Sequence, residues 1–319
     1  MARAPKTIIR TINRCIYCGT TEGRLSEEHI IPYSLGANLT LAAASCVDCA
    51  KKTSAIELHI ARPIAGMLRT RLGIQTRNPD KRVLIPKMLF FDGEERVVQV
   101  DPADFPSVFS YPIFGKPGIL EGRPRTGQYR SSTVPWSLGQ DAGFKAKADA
   151  FQEKYGCSGF ELAAFRPATL MAFVAKVGHA AAIALLGPDG FSPLVQEAVL
   201  NPDVVLDDLL GGQGGAFRPN PDILHAIEIR QIEGAAGSLI FARLWWFACL
   251  APGPDLTLST FAECGPPPLL AVVGRPLNDN LVGKVGQIAI HTDGRETFGV
   301  HSLSPVPQRV ISAPSMRPI

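Results

Sequence analysis

The sequence carries little net charge and has no apolar run that we expect to span a membrane. Its 319 residues include 32 Lys and Arg against 29 Asp and Glu, and hydrophobic residues make up 46% of the chain. This composition excludes a globally disordered chain and provides enough apolar surface for a real core. The stretch LIFARLWWFACLAPG comes closest to a membrane span, but it is too short and Arg243 interrupts it. We therefore expect no membrane partner.

The first residues also lack an apolar segment. MARAPKTIIRTINR is basic but has no hydrophobic stretch before a small-residue cleavage site, which argues against a secretory signal. On this basis we expect a cytoplasmic protein. Because thiols stay reduced in the cytosol, paired cysteines are better interpreted as metal ligands than as disulfides.

Four of the seven cysteines form two matched pairs. Cys15 and Cys18 are one C-x2-C pair, Cys46 and Cys49 are the other, and the 27 residues from 19 to 45 separate them. Each such turn directs two thiolates at one point, and two turns complete a tetrahedral zinc site. Because four thiolates leave no position for water, we predict a structural zinc. A redox pair or a free reactive thiol is the alternative.

The segment between the pairs has the pattern of a hairpin. LSEEHIIP has the apolar rhythm of a short strand, and YSLGANL turns at Gly36, which we expect in the left-handed conformation. After the last cysteine, AKKTSAIELHIA has helical spacing, with Ile56 and Ile60 on one stripe. The predicted order is a C-x2-C turn, a hairpin, a second C-x2-C turn and a helix, which together form a ββα unit held by zinc.

Taken together, these motifs resemble the HNH endonuclease family, in particular its zinc-stapled ββα-metal subgroup. The matching stretches are CIYCG, EEHIIPYSLGANL and ASCVDCAKKTSAIE, within roughly residues 13 to 75. The resemblance implies hydrolysis of phosphodiester bonds with a divalent ion, Mg²⁺ or Mn²⁺, and a histidine base. It further implies that Glu28 ligates that ion, that His29 is the general base and that Asn38 orients the imidazole.

Each of these assignments has a plainer alternative. His29 can be a hydrogen-bonded packing residue, and Asn38 can be a turn residue that tolerates the left-handed backbone. Glu27 can exchange places with Glu28 if the strand register shifts by one residue, since neighbouring side chains point to opposite faces.

One position departs from the family pattern. Many HNH enzymes place a second metal ligand directly after the last cysteine, where this chain has Ala50. Thr53, Ser54 and Glu57 follow on the same helical face, and Glu57 is the best chemical substitute because a carboxylate suits Mg²⁺. The alternatives are a solvated Glu57 paired with a lysine, or a region that has lost catalysis.

Basic residues are concentrated around the predicted site. Through Arg82 the chain has 13 Lys and Arg against 6 Asp and Glu, a net of +7, and the remainder has 19 against 23, a net of −4. A basic N-terminal region indicates contact with a polyanion, although solvated surface is the alternative. Composition does not choose between DNA and RNA, and DNA is the partner we expect. The predicted phosphate contacts are Arg10, Arg14, Lys51 and Lys52.

The rest of the chain predicts a larger α+β domain after the small ββα-metal module. We divide the chain into an HNH-type region with basic flanks at 1–82, an accessory domain of unknown function at 83–302 and a Pro/Ser-rich tail at 303–319. RVLIPKMLFFDGEERVVQV predicts a hairpin, and PATLMAFVAKVGHAAAIALLG predicts a buried core helix that includes His179 as a packing residue. Three later apolar runs predict an antiparallel sheet, and the stretch 101–143 predicts little regular structure. We expect the unpaired cysteines to be buried small residues: Cys157, Cys249 and Cys264.

The sequence therefore predicts a metal-dependent endonuclease that acts on nucleic acid, with DNA preferred. The alternative is a zinc-binding nucleic-acid module without catalytic activity, in which Glu28 and His29 have structural roles only. Ala50 keeps that alternative open.

Overall fold

A computed structural model describes most of the chain. The described ranges are 6–61, 68–69, 72–74, 84–106, 108–137, 144–162, 166–213, 220–234, 237–249, 267–278, 281–282 and 284–302.

The N-terminal region is a three-stranded sheet followed by a helix. Strands β1 (Thr7–Thr11), β2 (Leu25–His29) and β3 (Leu39–Cys46) lie in the order β1-β3-β2, and helix α1 spans Val47–Ala61. Strands β2 and β3 are antiparallel, whereas β1 runs parallel to β3. The predicted ββα order is confirmed, and β1 is an addition that the sequence did not predict.

The turn between β2 and β3 requires a glycine for two reasons. A single 3-10 turn at Tyr33–Leu35 ends at Gly36, whose φ of 94° is in the predicted left-handed region. A Cβ atom at this position would also lie 2.9 Å from Cδ2 of Leu224, which belongs to the larger part of the chain. The turn therefore packs against the rest of the protein and does not project into solvent.

Strand β3 contains a bulge opposite the acidic end of β2. Between the pairs Ser26–Ser45 and Glu28–Leu41, β2 has one residue and β3 has three, so β3 contains two extra residues at this point. Ala43 lies within the bulge and has a φ of 48°, a left-handed conformation that costs a non-glycine residue about 1 to 2 kcal/mol. Bulges of this kind re-aim neighbouring side chains, and this one sets which residue of the Glu-Glu-His run faces the core.

The larger part of the chain is an antiparallel sheet with helices packed against it. Its strands are β4 (Ile85–Phe91), β5 (Glu94–Val100), β6 (Val108–Phe114), β7 (Ser131–Ser137), β8 (Gly159–Phe160), β9 (Phe191–Pro193), β10 (Leu210–Gly212), β11 (Ile223–Gly234), β12 (Gly237–Trp246), β13 (Leu269–Pro276), β14 (Lys284–His291) and β15 (Glu296–Ser302); the helices are α2 (Phe144–Tyr155), α3 (Pro167–Leu186) and α4 (Gln196–Leu200). The main sheet has the strand order β10-β13-β12-β11-β14-β15, with β9 beside β13, and smaller sheets pair β4 with β5 and β8, and β6 with β7. This confirms the predicted α+β class.

Helix α3 is the core helix that the sequence predicted. Every residue from Leu170 to Ala184 is buried, and the helix packs against α1, α4 and the central strands of the main sheet. Among the residues that the structure describes, α3 is the one helix long and apolar enough to pass as a membrane span, which corrects our expectation that no stretch is long and apolar enough. Because 83% of its apolar window is buried within the protein, it has the surroundings of a core helix.

Two element predictions have different outcomes. The hairpin of β4 and β5 is confirmed, with Gly93 at a φ of 86° in its turn. The stretch 101–143, for which the sequence predicts little regular structure, contains the paired strands β6 and β7. Pro112 and Pro135 concealed them, because proline normally argues against a strand. It is tolerated here since a two-stranded sheet has only edge strands.

The predicted boundary near residue 82 and the tail at 303–319 lie outside the described residues. Among the described residues, the N-terminal sheet and the main sheet contribute to one continuous apolar cluster. Of the unpaired cysteines, Cys157 is buried as predicted, Cys249 is half-buried, and Cys264 lies outside the described residues.

Two buried histidines join the larger part of the chain to the backbone of the N-terminal region. His179 Nε2 lies 2.8 Å from the carbonyl oxygen of Ile16, and His225 Nε2 lies 2.9 Å from that of Leu35. The other nitrogen of His225, Nδ1, accepts the N–H of Phe247 at 3.1 Å, so a neutral imidazole satisfies both contacts. Burial lowers the pKa of each ring to about 4.

We expect the protein to lose stability as the pH falls from about 6.5 to about 4. In this window the unfolded chain binds protons at His179 and His225, whose ordinary pKa is about 6.5, and the folded protein does not. Near the middle of the window each histidine should add about 1.4 kcal/mol per pH unit to the slope of the unfolding free energy. Urea unfolding of wild type and His225→Gln across this range measures the difference. Equal slopes for the two proteins would contradict the assignment of His225.

Candidate active site and metal centre

The first C-x2-C pair lies in a tight turn that follows β1. The N–H of Cys15 donates to the carbonyl oxygen of Thr20 at 2.8 Å, and the N–H of Gly19 donates to that of Cys15 at 2.9 Å. Gly19 has a φ of 78°, so the residue directly after Cys18 closes the turn in the left-handed conformation. This geometry brings both sulfur atoms to one side of the turn.

The second pair spans the junction of β3 and α1. Cys46 is the last residue of the strand, and Cys49 lies in the first turn of the helix. The N–H of Cys49 donates to the sulfur of Cys46, and this hydrogen bond lowers the pKa of the Cys46 thiol to about 7. A thiol that ionises this readily is a good metal ligand, because the thiolate is the form that binds.

The four sulfur atoms fit a zinc ion. All lie within 4.8 Å of one another, and the sulfurs of Cys18 and Cys46 are 3.7 Å apart. Four thiolates at the usual Zn–S distance of about 2.3 Å are about 3.8 Å apart at the corners of a tetrahedron. The donor set therefore suits a structural zinc, which would join the strand, the helix and the first turn.

Strand β2 separates the neighbouring residues Glu28 and His29. Glu28 pairs with Leu41 and is only 4% exposed, whereas His29 pairs with Thr40 and is half-buried. Glu27, the alternative acid, is exposed and forms an ion pair with Lys6. The register thus directs Glu28 to the core, and the acidic side chain next to the histidine does not share its surface.

A lysine from the core helix lies between Glu28 and Glu57. Lys176 Nζ is 2.9 Å from Oε1 of Glu28 and 2.9 Å from Oε1 of Glu57, and its side chain is fully buried. The ammonium also donates to the carbonyl oxygens of His29 and Ile30, the latter at 3.4 Å. The two carboxylates that the sequence assigned to a divalent ion therefore converge on one point, and an ammonium group occupies it.

Charge and burial act against each other in this cluster. Burial raises the pKa of Glu28, while the nearby Lys176 and the hydroxyl of Tyr17, 3.1 Å from Oε1, partly offset that effect. Burial alone would lower the pKa of Lys176, but the carboxylates of Glu28 and Glu57 outweigh it and raise the pKa overall. Lys176 is therefore charged at neutral pH.

Three residues of α1 were considered as metal ligands in place of Ala50, and only one of them contacts Lys176. Thr53 is buried and donates its hydroxyl to the carbonyl oxygen of Ala50 at 3.3 Å, and Ser54 is exposed. Glu57 alone reaches the cluster, with 24% of its side chain still exposed. His59, also on α1, is exposed.

Asn38 lies just before β3, next to the pair of His29 and Thr40. It is two residues before Thr40, which pairs with His29. The residue is 6% exposed, and its backbone N–H donates to the carboxylate of Glu296 in β15. This placement is compatible with the orienting role predicted for Asn38, which remains a prediction.

The predicted phosphate-contacting residues lie on the surface around these elements. Arg10 on β1 is exposed, and so are Lys51 and Lys52 in the first half of α1. Arg14 is half-buried and pairs with Asp189 at 2.7 Å, so part of its charge is already compensated.

Sequence reasoning did not identify Lys176 or Tyr17 as members of the cluster. A signal for Lys176 was present, because it is the one Lys, Arg, Asp or Glu within the apolar helix α3. A charge in such a run indicates a buried partner, since unpaired charges are almost never fully buried. The sequence does not identify that partner.

Replacing Cys49 with Ser should remove the zinc. The wild-type chain should contain one zinc ion, and the variant should lose it together with much of the roughly 10 kcal/mol that such a site contributes. Cys157→Ser is the matched control, since Cys157 is a buried cysteine away from the cluster. Metal analysis of both purified variants measures the zinc content. Equal zinc in the Cys49 and Cys157 variants would contradict the four-cysteine site.

Comparison with known proteins gives one match. Residues 15–62 match the HNH endonuclease family. No curated protein and no solved structure matches the chain. The matched residues begin at the first cysteine of the cluster and end just after α1, so they cover both cysteine pairs, Glu28, His29 and Glu57. We call residues 15–62, which match the HNH endonuclease family, the HNH region, and the four clustered cysteines form its zinc-binding group.

Proposed function

We propose that the HNH region is a nuclease that hydrolyses phosphodiester bonds in nucleic acid, with His29 as the general base. The observation that carries the proposal is the position of His29, half-buried at the end of β2, within a ββα unit that matches a nuclease family. A base must reach both the water that it activates and the phosphate that the water attacks. Among the neighbouring residues of the motif, His29 meets this requirement better than the buried Glu28.

The chemistry assigned to His29 is a single proton transfer. A neutral imidazole accepts a proton from water while the water oxygen attacks phosphorus, the P–O bond on the opposite side breaks, and the leaving oxygen takes a proton from solvent. Histidine suits this role because it is the side chain whose charge ordinarily changes between pH 5 and 8. Asn38 is proposed to orient the imidazole ring of His29. Lys176 donates a hydrogen bond to the backbone carbonyl oxygen of His29 and so holds that backbone in place.

The divalent ion is the part of the predicted chemistry that fits least well. The sequence predicts Mg²⁺ or Mn²⁺ at Glu28 and Glu57, but both carboxylates contact Lys176. The residues present do not fit a metal ion between these two acids. We therefore assign no step of the hydrolysis to an ion at this position.

The same contact favours a second candidate function. A region that binds nucleic acid without cutting it would keep the ββα frame and the zinc but would have no need of a metal between the acids. The ammonium of Lys176 compensates Glu28 and Glu57 internally, so their charges need no metal ion. Cleavage and binding must therefore be measured separately.

The proposed nucleic-acid surface consists of the exposed residues of β1 and α1. Arg10, Lys51 and Lys52 lie near the HNH region and are available to contact phosphates. We propose DNA as the preferred substrate and the cytoplasm as the location, in accordance with the expectations from the sequence.

Replacing His29 with Ala should abolish cleavage. A general base contributes about 10²- to 10⁴-fold to a rate, so a loss of at least about 100-fold is expected. His59→Ala is the matched control, because His59 is an exposed histidine of the same region. Supercoiled plasmid and structured RNA, each with and without Mg²⁺ or Mn²⁺, serve as substrates. If wild type binds DNA but cuts neither substrate, the second candidate function replaces the first.

Replacing Lys51 and Lys52 with Gln should weaken DNA binding without changing sequence preference. Each phosphate that the variant no longer neutralises should reduce the slope of log affinity against log salt concentration by about 0.9. Lys145→Gln with Lys154→Gln is the matched control, since both are exposed lysines on α2. Fluorescence anisotropy over a range of salt concentrations measures the slopes. The same slope in both double variants would place the nucleic-acid surface elsewhere.

A further inference from the structure

We propose that the ammonium group of Lys176 is the resident cation between Glu28 and Glu57, so that the protein itself occupies the place predicted for a divalent ion. This inference rests on the proposed function only in identifying these acids as the metal site of the HNH region. It concerns what binds there, whether or not the region cuts nucleic acid.

The oxygen atoms around Lys176 form the kind of set that a hard cation binds. Carboxylate oxygens of Glu28 and Glu57 lie 2.9 Å from Nζ, and the carbonyl oxygens of His29 and Ile30 face the same atom. Carboxylate and backbone carbonyl oxygens are the usual protein ligands of Mg²⁺ and Ca²⁺. The ammonium has only three N–H groups for these four oxygens, so the shell is as complete as an ammonium allows.

The ammonium of Lys176 lies at the point between the two carboxylates where an ion would bind. Lys176 is 0% exposed and the side chain of Glu28 is 5% exposed, so of the three charged side chains only Glu57, at 24%, reaches solvent. Mg²⁺ usually retains several water molecules in protein sites, and this buried position offers little access to them. A divalent ion would also be repelled by the ammonium at the same position.

Helix α3 holds Lys176 in this place. Its flanking residues Ala175 and Val177 are fully buried. Two residues further on, a Cβ added to Gly178 would lie 3.0 Å from side-chain atoms of Ala242 and Val273, so the helix is pressed against the main sheet. Withdrawal of the lysine by movement of α3 would therefore break the core. The cation is a fixed component of the fold.

The charges that face Lys176 come from each element packed around it. Glu28 on β2 and Glu57 on α1 provide two negative charges, and Tyr17 from the first cysteine turn adds a neutral hydroxyl. The cluster has a net charge of −1 with the ammonium in place and −2 without it. Removal of the lysine charge should thus convert the cluster into a cation-binding site.

The decisive experiment measures Mn²⁺ binding in the zinc-loaded, full-length protein. Wild type, Lys176→Met and the double variant Lys176→Met/Glu28→Gln are titrated with Mn²⁺, with binding followed by electron paramagnetic resonance and by the shift in Tm. We expect no Mn²⁺ site that depends on Glu28 in wild type, one site in Lys176→Met, and its loss in the double variant. Lys87→Met is the matched control, because Lys87 is another buried lysine, and it should gain no site.

Two results would overturn the inference. One is a Mn²⁺ site in the wild-type protein that Glu28→Gln removes, because the acids would then bind metal in the presence of Lys176. The other is a folded Lys176→Met protein that binds no Mn²⁺. If Lys176→Met fails to fold, Mn²⁺ binding by wild type and by Glu28→Gln is compared to decide whether the acids bind metal. A neutral triple variant, Lys176→Met/Glu28→Gln/Glu57→Gln, then tests the cause of the failure: if it folds, the unpaired charges were responsible. Since Mn²⁺ binding is read directly, a negative result here is distinct from an absence of nuclease activity.

Discussion

A buried ammonium between two carboxylates joins the HNH region to the rest of the protein. Lys176 lies on the core helix, and its partners Glu28 and Glu57 lie on the strand and the helix of the HNH region. Such a group is costly to bury, and the loss of one partner typically costs about 3 to 5 kcal/mol because the others remain charged. The net contribution to stability can nevertheless be small. The main effect of the charge cluster is to fix the position of α3 against β2 and α1, since only one packing arrangement satisfies all three charges.

The HNH region is held at both ends of its hairpin. At one end Leu25 pairs with Cys46, so the zinc-binding group fixes the start of β2 and the end of β3. At the other end His29 pairs with Thr40, and the backbone there is held by Lys176, by His225 through Leu35 and by Glu296 through Asn38. A segment this small buries little apolar surface of its own and needs such supports. The position of His29 therefore depends on residues that are distant in sequence.

Local patterns of the HNH region could be predicted from sequence because their causes are local. The C-x2-C spacing implies a turn, Gly36 implies a positive φ, and the apolar run of α3 implies burial. The partners of Lys176 could not be predicted, since it lies 147 positions after His29 in the sequence and a buried charge does not identify its counterion. The parallel pairing of β1 with β3 is likewise a long-range contact. Prolines in β6 and β7 concealed two strands, because only the pairing shows that both are edge strands.

The candidate site shows how the same motif acquires different chemistry from its surroundings. Strand alternation directs the neighbouring side chains of Glu28 and His29 to opposite faces of β2. Burial then changes what the acid can do, because the Glu28 carboxylate faces an ammonium and a tyrosine hydroxyl in place of water. Lys176 adds a positive charge to this cluster, and Ala50, in the first turn of α1, has no side chain that could bind an ion. The lysine and the acids depend on one another, because without the ammonium Glu28 would lie buried without a counterion, and without the acids the buried ammonium would be uncompensated.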